Sequence, residues 1–196
     1  MSTRDRILDV AATVIEQHGL ARATTKQIAT TAGYSEATLY KHFSSKTELF
    51  TRVLAERAPG DLAGALRALP DTGRREGLPE ALRTVAVAAL SFYRHGFPMA
   101  GSLFAEPDLL AAHRADLTTR GEGPEQPIAT LASYLAACRD RGEIAPGTNV
   151  EAAARMLLGA CFQQAFLSHL NQPGHAESPP ATFAAILVTT LIDGIE

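Results

Sequence analysis

The chain lacks the features that would mark a secreted, membrane or metal protein. No apolar run in its 196 residues is long enough to span a bilayer, and the opening MSTRDRILDV has no signal-peptide core; a cytoplasmic chain with no membrane partner is expected. It has two cysteines, Cys138 and Cys161, both in apolar helical sequence and without ligand spacing. Reduced, partly buried thiols are expected rather than a redox switch. The histidines at 18, 95, 113, 169 and 175 share no helix face at ligand spacing, so no metal site is expected. No stretch alternates with period two for long enough to make a strand, and without strands there is no place for a strand-borne phosphate loop. No serine sits in a nucleophile elbow and no His-Glu helix motif occurs. With no catalytic constellation, neither an enzyme nor a cofactor is expected.

Positive charge is also scarce, but unevenly so. The net charge is −3, and the three lysines, Lys26, Lys41 and Lys46, all fall in the first 57 residues. That segment carries eight Lys/Arg against six Asp/Glu, and the remainder carries ten against fifteen. The chain is therefore polarised, although folding must gather those cations onto one face before they form a patch.

What the chain does have is helical periodicity. At 46% apolar and 20% charged residues it is an ordinary globular sequence, long enough to bury a good core. Ile7, Leu8, Ala11, Val14 and Ile15 make one helical face that Gly19 closes. Thr24, three residues before Gln27, opens a second, short helix that ends at Gly33, with Ile28, Ala29 and Ala32 inward. Ser35 caps a third helix, EATLYKHF, and after Ser44-Ser45 a longer fourth begins at KTELFTRVLAER. Pro59-Gly60 interrupts it, and PDTGRREGLP at 70–79 reads as a loop. Further helical segments are expected at about 80–95, 98–105, 108–119, 125–142, 149–171 and 179–195, giving an all-α chain of nine or ten helices.

On a wheel of about 100° per residue, Leu39 and Phe43 coincide and must face inward. Ala37 and Lys41 then lie at the centre of the outward face, with Glu36 and Tyr40 on one margin and Thr38 and His42 on the other. A short side chain and a lysine flanked by hydroxyl, phenol and imidazole groups suit a helix in the major groove, its ridge toward base edges and its margins toward phosphates. The plainer alternative makes Tyr40 and His42 partly buried residues at the joint with the fourth helix. A short helix, a tight turn and this helix form a helix-turn-helix pattern, extended by Tyr40, His42, Phe43 and Lys46 at fixed spacing.

Residues 5–50 resemble the N-terminal DNA-binding domain of the tetracycline-repressor (TetR) family, through IA at 28–29, AGYS at 32–35, TLYKHF at 38–43 and KTELF at 46–50. The resemblance implies an all-α protein in which a three-helix DNA-binding domain (1–50) is joined by a long fourth helix to a helical ligand-binding and dimerisation domain (51–196). It also implies a homodimeric repressor, released from double-stranded operator DNA by a small-molecule inducer. By residue, Thr25, Thr38, Tyr40, His42 and Lys46 match phosphate-holding positions. Lys26 matches a base-reaching position in the second helix, and Glu36, Ala37 and Lys41 match the base-facing ridge behind the cap Ser35. Glu36 departs from a position often neutral or basic in the family: it either accepts from a cytosine amino group or caps its own helix, the role favoured here.

In the remainder, SFYRHGFPMAGSLF (91–104) and CFQQAFLSHL (161–170) place polar groups among aromatics and Met99. Tyr93, Phe97, Phe104, Phe162, Gln163, Phe166 and His169 are either plain core or the lining of a cavity for a small, largely apolar or aromatic ligand. The last two helices, rich in small residues and with an apolar seam, either cover their own core or form an intermolecular four-helix bundle. A non-specific or structural DNA binder, and an enzyme of small-molecule metabolism, are the competing functions.

Overall fold

The computed structural model describes residues 1–20, 22–57, 61–121, 123–172 and 178–194, without the side chains of Ala55, Met99 and Ser102. Among these residues there are ten helices and no strand: α1 (Thr3–His18), α2 (Thr25–Ala32), α3 (Glu36–His42), α4 (Lys46–Glu56), α5 (Leu62–Glu76), α6 (Leu78–Phe104), α7 (Pro107–Arg120), α8 (Gln126–Asp140), α9 (Val150–Leu170) and α10 (Pro180–Asp193). They form two compact units, one of residues 1–59 with 95–122, the other of 60–94 with 123–196.

The first unit closes on one core. The inward faces of α1 and α2 meet Leu39 and Phe43 of α3 and Leu49, Phe50 and Val53 of α4, and Leu103 and Leu109 from much later in the chain join them. The short helices hold because each end is satisfied. Thr24, Ser35 and Ser45 accept from the backbone N–H groups of Gln27, Thr38 and Glu48, while Gly33 ends α2 at φ 83°, a conformation that costs glycine nothing. Arg6 of α1 donates to the carbonyl of Ala32 at 2.9 Å, tying down the end of α2. Arg4 grips Glu56 with two bonds of 2.6 and 2.9 Å, and Arg57 reaches Asp9 at 2.7 Å, so the C-terminal end of α4 is fixed to α1.

The fourth helix is shorter than the sequence suggests. It ends at Glu56, because Arg57 leaves the helical region (φ −130°, ψ 17°) to pair with Asp9 and Asp5. The interruption expected at Pro59-Gly60 lies outside the described residues. Asp61 then caps α5 by accepting from Gly64 N–H at 2.8 Å.

The second unit overturns two expectations about punctuation. The loop expected at 70–79 is mostly helix, since α5 runs through Pro70 to Glu76. Leu62, Leu66 and Leu69 are buried on its inner face while Pro70 is exposed, so packing holds the helix and the proline ring is accommodated on the solvent side. Likewise HGFP does not separate two helices: α6 is one helix of 27 residues with Pro98 inside it. Pro98 has no N–H to give the carbonyl of Arg94 four residues back, and the Nε2–H of His169 donates to that carbonyl instead, at 2.7 Å. The boundary between the units falls in this helix, between Arg94 and His95, where the sequence reads a break.

The core of this unit joins α5, α6, α8, α9 and α10 through residues such as Leu66, Val85, Leu131, Leu157 and Val188. Cys138 and Cys161 are both free and fully buried within it, more so than expected. Burial pushes both thiols up, Cys161 to about 12, which keeps them protonated and unreactive at neutral pH.

Candidate nucleic-acid interface

The wheel assignment of α3 matches the structure. Leu39 and Phe43 are buried, and Ala37, Tyr40, Lys41 and His42 are exposed, with Tyr40 46% accessible. A phenol left that open on a seven-residue helix is not filling a joint. Lys26 and Lys46 are exposed as well, so all three lysines of the chain stand on the surface of the first unit. Lys46 is not loose: its Nζ lies 5.1 Å above the Phe50 ring, a cation–π contact that holds the ammonium at the start of α4.

Several members of the set are engaged in hydrogen bonds within the fold. Thr25 is only 8% exposed and its hydroxyl donates to Oε1 of Glu36 at 2.5 Å, with the Tyr40 hydroxyl 3.4 Å away. A hydroxyl has one proton to give, so in this arrangement the Thr25 side chain has none for a phosphate. Ser35 supplies the cap of α3, accepting from Thr38 N–H at 3.2 Å while its hydroxyl lies 2.9 Å from that of Thr38. Glu36 stands in the first turn of α3, where the helix dipole favours an acid as expected, and its carboxylate also bridges α2 to α3.

Sequence reasoning missed Glu48. Its Oε2 accepts from both the N–H and the hydroxyl of Ser44, each at 2.6 Å, and these bonds hold its carboxyl below the usual range. They fix the turn between α3 and Lys46. Ser45-x-x-Glu48 has the spacing of a capping box, which was the available signal. The grip of α7 on α4 had no such signal. Arg52 lies 3.6 Å from Asp116, and Leu109 enters the same core as Leu49 and Phe50, across more than fifty residues of chain.

Of the seven residues considered for a ligand, Phe97 and Phe104 belong to the first unit, Phe104 being 71% exposed. Tyr93, Phe162, Gln163, Phe166 and His169 belong to the second. There the Tyr93 ring meets Phe162 edge to face at 5.4 Å, and burial raises its phenol. His169 gives its Nε2 to Arg94, which fixes its tautomer. Met99, named with them, has its side chain outside the described residues. Two surface grooves flank α8, one of about 560 Å³ toward α5 and one of about 470 Å³ toward α9, and neither is lined by any of the seven.

Capped helices, a buried inner face and a cationic outer one define a helix-turn-helix domain within an all-helical chain. Residues 7–53 match the family model described as bacterial regulatory proteins, tetR family. Over that span the chain is similar to the DNA-binding domains of tetR-family regulators. The HTH-type transcriptional regulator SrpR of Pseudomonas putida is 44% identical over 55 residues, 28% of this chain and 26% of that one. The match thus spans about a quarter of the length of such curated relatives. The fold is shared more widely. FadR of Bacillus subtilis in complex with stearoyl-CoA superposes with a TM-score of 0.68 at 18% identity, covering 98% of this chain and 99% of that one. SmeT, repressor of the SmeDEF multidrug efflux pump of Stenotrophomonas maltophilia, gives 0.68 at 21%, covering 98% and 90%. Among the described residues no helix is long and apolar enough to cross a membrane.

Proposed function

We propose that this chain is a cytoplasmic, homodimeric transcriptional repressor that binds a palindromic operator through residues 1–50 and releases it when residues 51–196 bind a small, largely apolar or aromatic molecule. The observation that carries the reading is the exposed face of α3. Tyr40, Lys41 and His42 stand out from a scaffold in which α1 to α4 each start with a side-chain cap, next to the buried Leu39 and Phe43 that fix its orientation. One such helix reads only a few base pairs, so useful specificity needs two subunits and a two-fold symmetric site.

The dimer is supported by a second feature. Met156, Phe162, Phe166, Leu167 and Leu170 of α9 and Ile186 and Ile192 of α10 are exposed apolar residues at helical spacing, an amount of open hydrocarbon that a lone subunit rarely leaves in water. Phe162 and Phe166 thus belong to this stripe as well as to the ligand set, and a cavity built on Tyr93 and Phe162 would lie beside the dimer seam. Ligand binding by FadR, named with stearoyl-CoA, supports a sensing role for the same fold here. The grip of α7 on α4 offers a route to the DNA-binding helices from later in the chain. A tenfold loss of operator affinity needs about 1.4 kcal/mol of coupling.

In vitro selection from a random DNA pool tests the reading. A palindromic consensus bound about 10³-fold or more above random DNA is the expected result. Uniform affinity for all sequences would instead mark a structural DNA binder.

A further inference from the structure

Glu36 is an acid on a surface read here as meeting a polyanion, and its setting narrows what it is for. It is the first residue of α3, the end of a recognition helix that approaches base edges. Its Oε1 accepts from Thr25, itself buried and within 3.4 Å of the Tyr40 hydroxyl, so the carboxylate is aimed from α2 rather than swinging free. Among the described residues Glu36 forms no ion pair and receives no donor other than Thr25, and the cap of α3 is already supplied by Ser35. An ionised carboxylate only accepts hydrogen bonds. Phosphate oxygens repel it, as do N7 and O6 of guanine and O4 of thymine. Adenine offers an amino group beside the acceptor N7, whereas cytosine offers its amino group with no acceptor next to it.

We propose that Glu36, aimed by Thr25, accepts a hydrogen bond from the exocyclic amino group of a cytosine and so fixes one C·G pair in each half of the operator. The inference rests on the reading of α3 as the recognition helix. Thr25 acts as a positioning residue, its hydroxyl deciding where the carboxylate points without touching the base.

The test uses the full chain and selection from a random pool, followed by affinity measurements on the selected site and on random DNA. The unaltered protein selects cytosine at one two-fold related position. Glu36→Gln, whose amide matches the N6 and N7 edge of adenine, moves the preference there to adenine by about tenfold or more. Thr25→Val leaves affinity for random DNA within about twofold but spreads the base chosen at that position, and Thr25→Ser restores it. Independently of how any variant folds, the unaltered protein loses about tenfold in affinity when that cytosine is replaced by N4-methylcytosine, which keeps its pairing hydrogen and blocks the groove-facing one. An unchanged consensus with Glu36→Gln, or equal binding of the methylated site, overturns the assignment while leaving the regulator intact. Failure of the unaltered protein to enrich any sequence removes the regulator reading, and this inference with it.

Discussion

Lys41 and Lys46 are exposed lysines five residues apart, yet their settings assign them different work. Lys41 stands on the ridge of α3 opposite Leu39 and Phe43, whereas Lys46 is held against the Phe50 ring at the start of the next helix. Lys46→Ala should weaken binding to all DNA alike and reduce the slope of log affinity against log salt by about one, measured by titration at several salt concentrations. Lys41→Ala should instead relax the preference at one base pair by about 1–3 kcal/mol, read from a repeated selection. The same slope change in both variants would erase the distinction. These positions were legible in the sequence because a wheel needs only the identity of the buried pair. The tie between Thr25 and Glu36 was not, since it joins residues eleven apart across a turn whose geometry no periodicity encodes.

Helices show where local signals prevail and where packing overrides them. Every cap read from the sequence, at Thr24, Ser35, Gly19 and Gly33, is present, because a cap is made within a few residues. Pro70 and Pro98 were read as breaks and are helical: burial of Leu62, Leu66 and Leu69 holds α5 at Pro70, and His169 supplies a donor to the Arg94 carbonyl that Pro98 leaves open in α6. Two substitutions test that balance. At Gly73 of α5 an added Cβ would overlap the Tyr134 hydroxyl, whose ring is buried and whose phenol is pushed up to about 12, chiefly by burial. Gly73→Ala should therefore cost about 1–3 kcal/mol in urea denaturation, and clearly less in a Tyr134→Phe background. Additive costs in the double variant would show that the two residues do not meet. His169→Ala should lower stability by about 0.5–1.5 kcal/mol by leaving the Arg94 carbonyl without its imidazole donor, and His169→Gln should retain part of it. Equal losses for Ala and Gln would point to lost packing instead.

For the molecule as a whole, acid and assembly are the measurable responses. Arg4 holds the Glu56 carboxyl below its ordinary value, and Ser2 and Ser44 do the same for Asp5 and Glu48, all in the first unit. A lowered folded value means the stabilisation is complete above about pH 4.5 and is lost as pH falls further, when those carboxylates take up protons. Stability should therefore decline as the pH falls below about 4.5, and Glu56→Gln should flatten that decline in acid titrations followed by helicity. In the proposed dimer, a paired Leu170→Asp and Ile186→Asp should weaken self-association by at least about tenfold in sedimentation equilibrium, since each subunit would bring two charges into the apolar seam. An unaltered association constant would place the interface elsewhere.

The first unit is made from two stretches of chain, residues 1–59 and 95–122, with thirty-five residues of the other unit between them. A ribosome therefore delivers α1 to α4 well before Leu103 and Leu109, which belong to the same core. Until those residues emerge, Leu49, Phe50 and Val53 lack part of their final cover, and the nascent DNA-binding helices remain incompletely packed. Coming from so far along the chain, that cover carries a loop-closure cost that local helix formation does not. During synthesis the interval between α4 and α7 is thus a period of exposure to proteases and chaperones, and a pause in translation there would lengthen it.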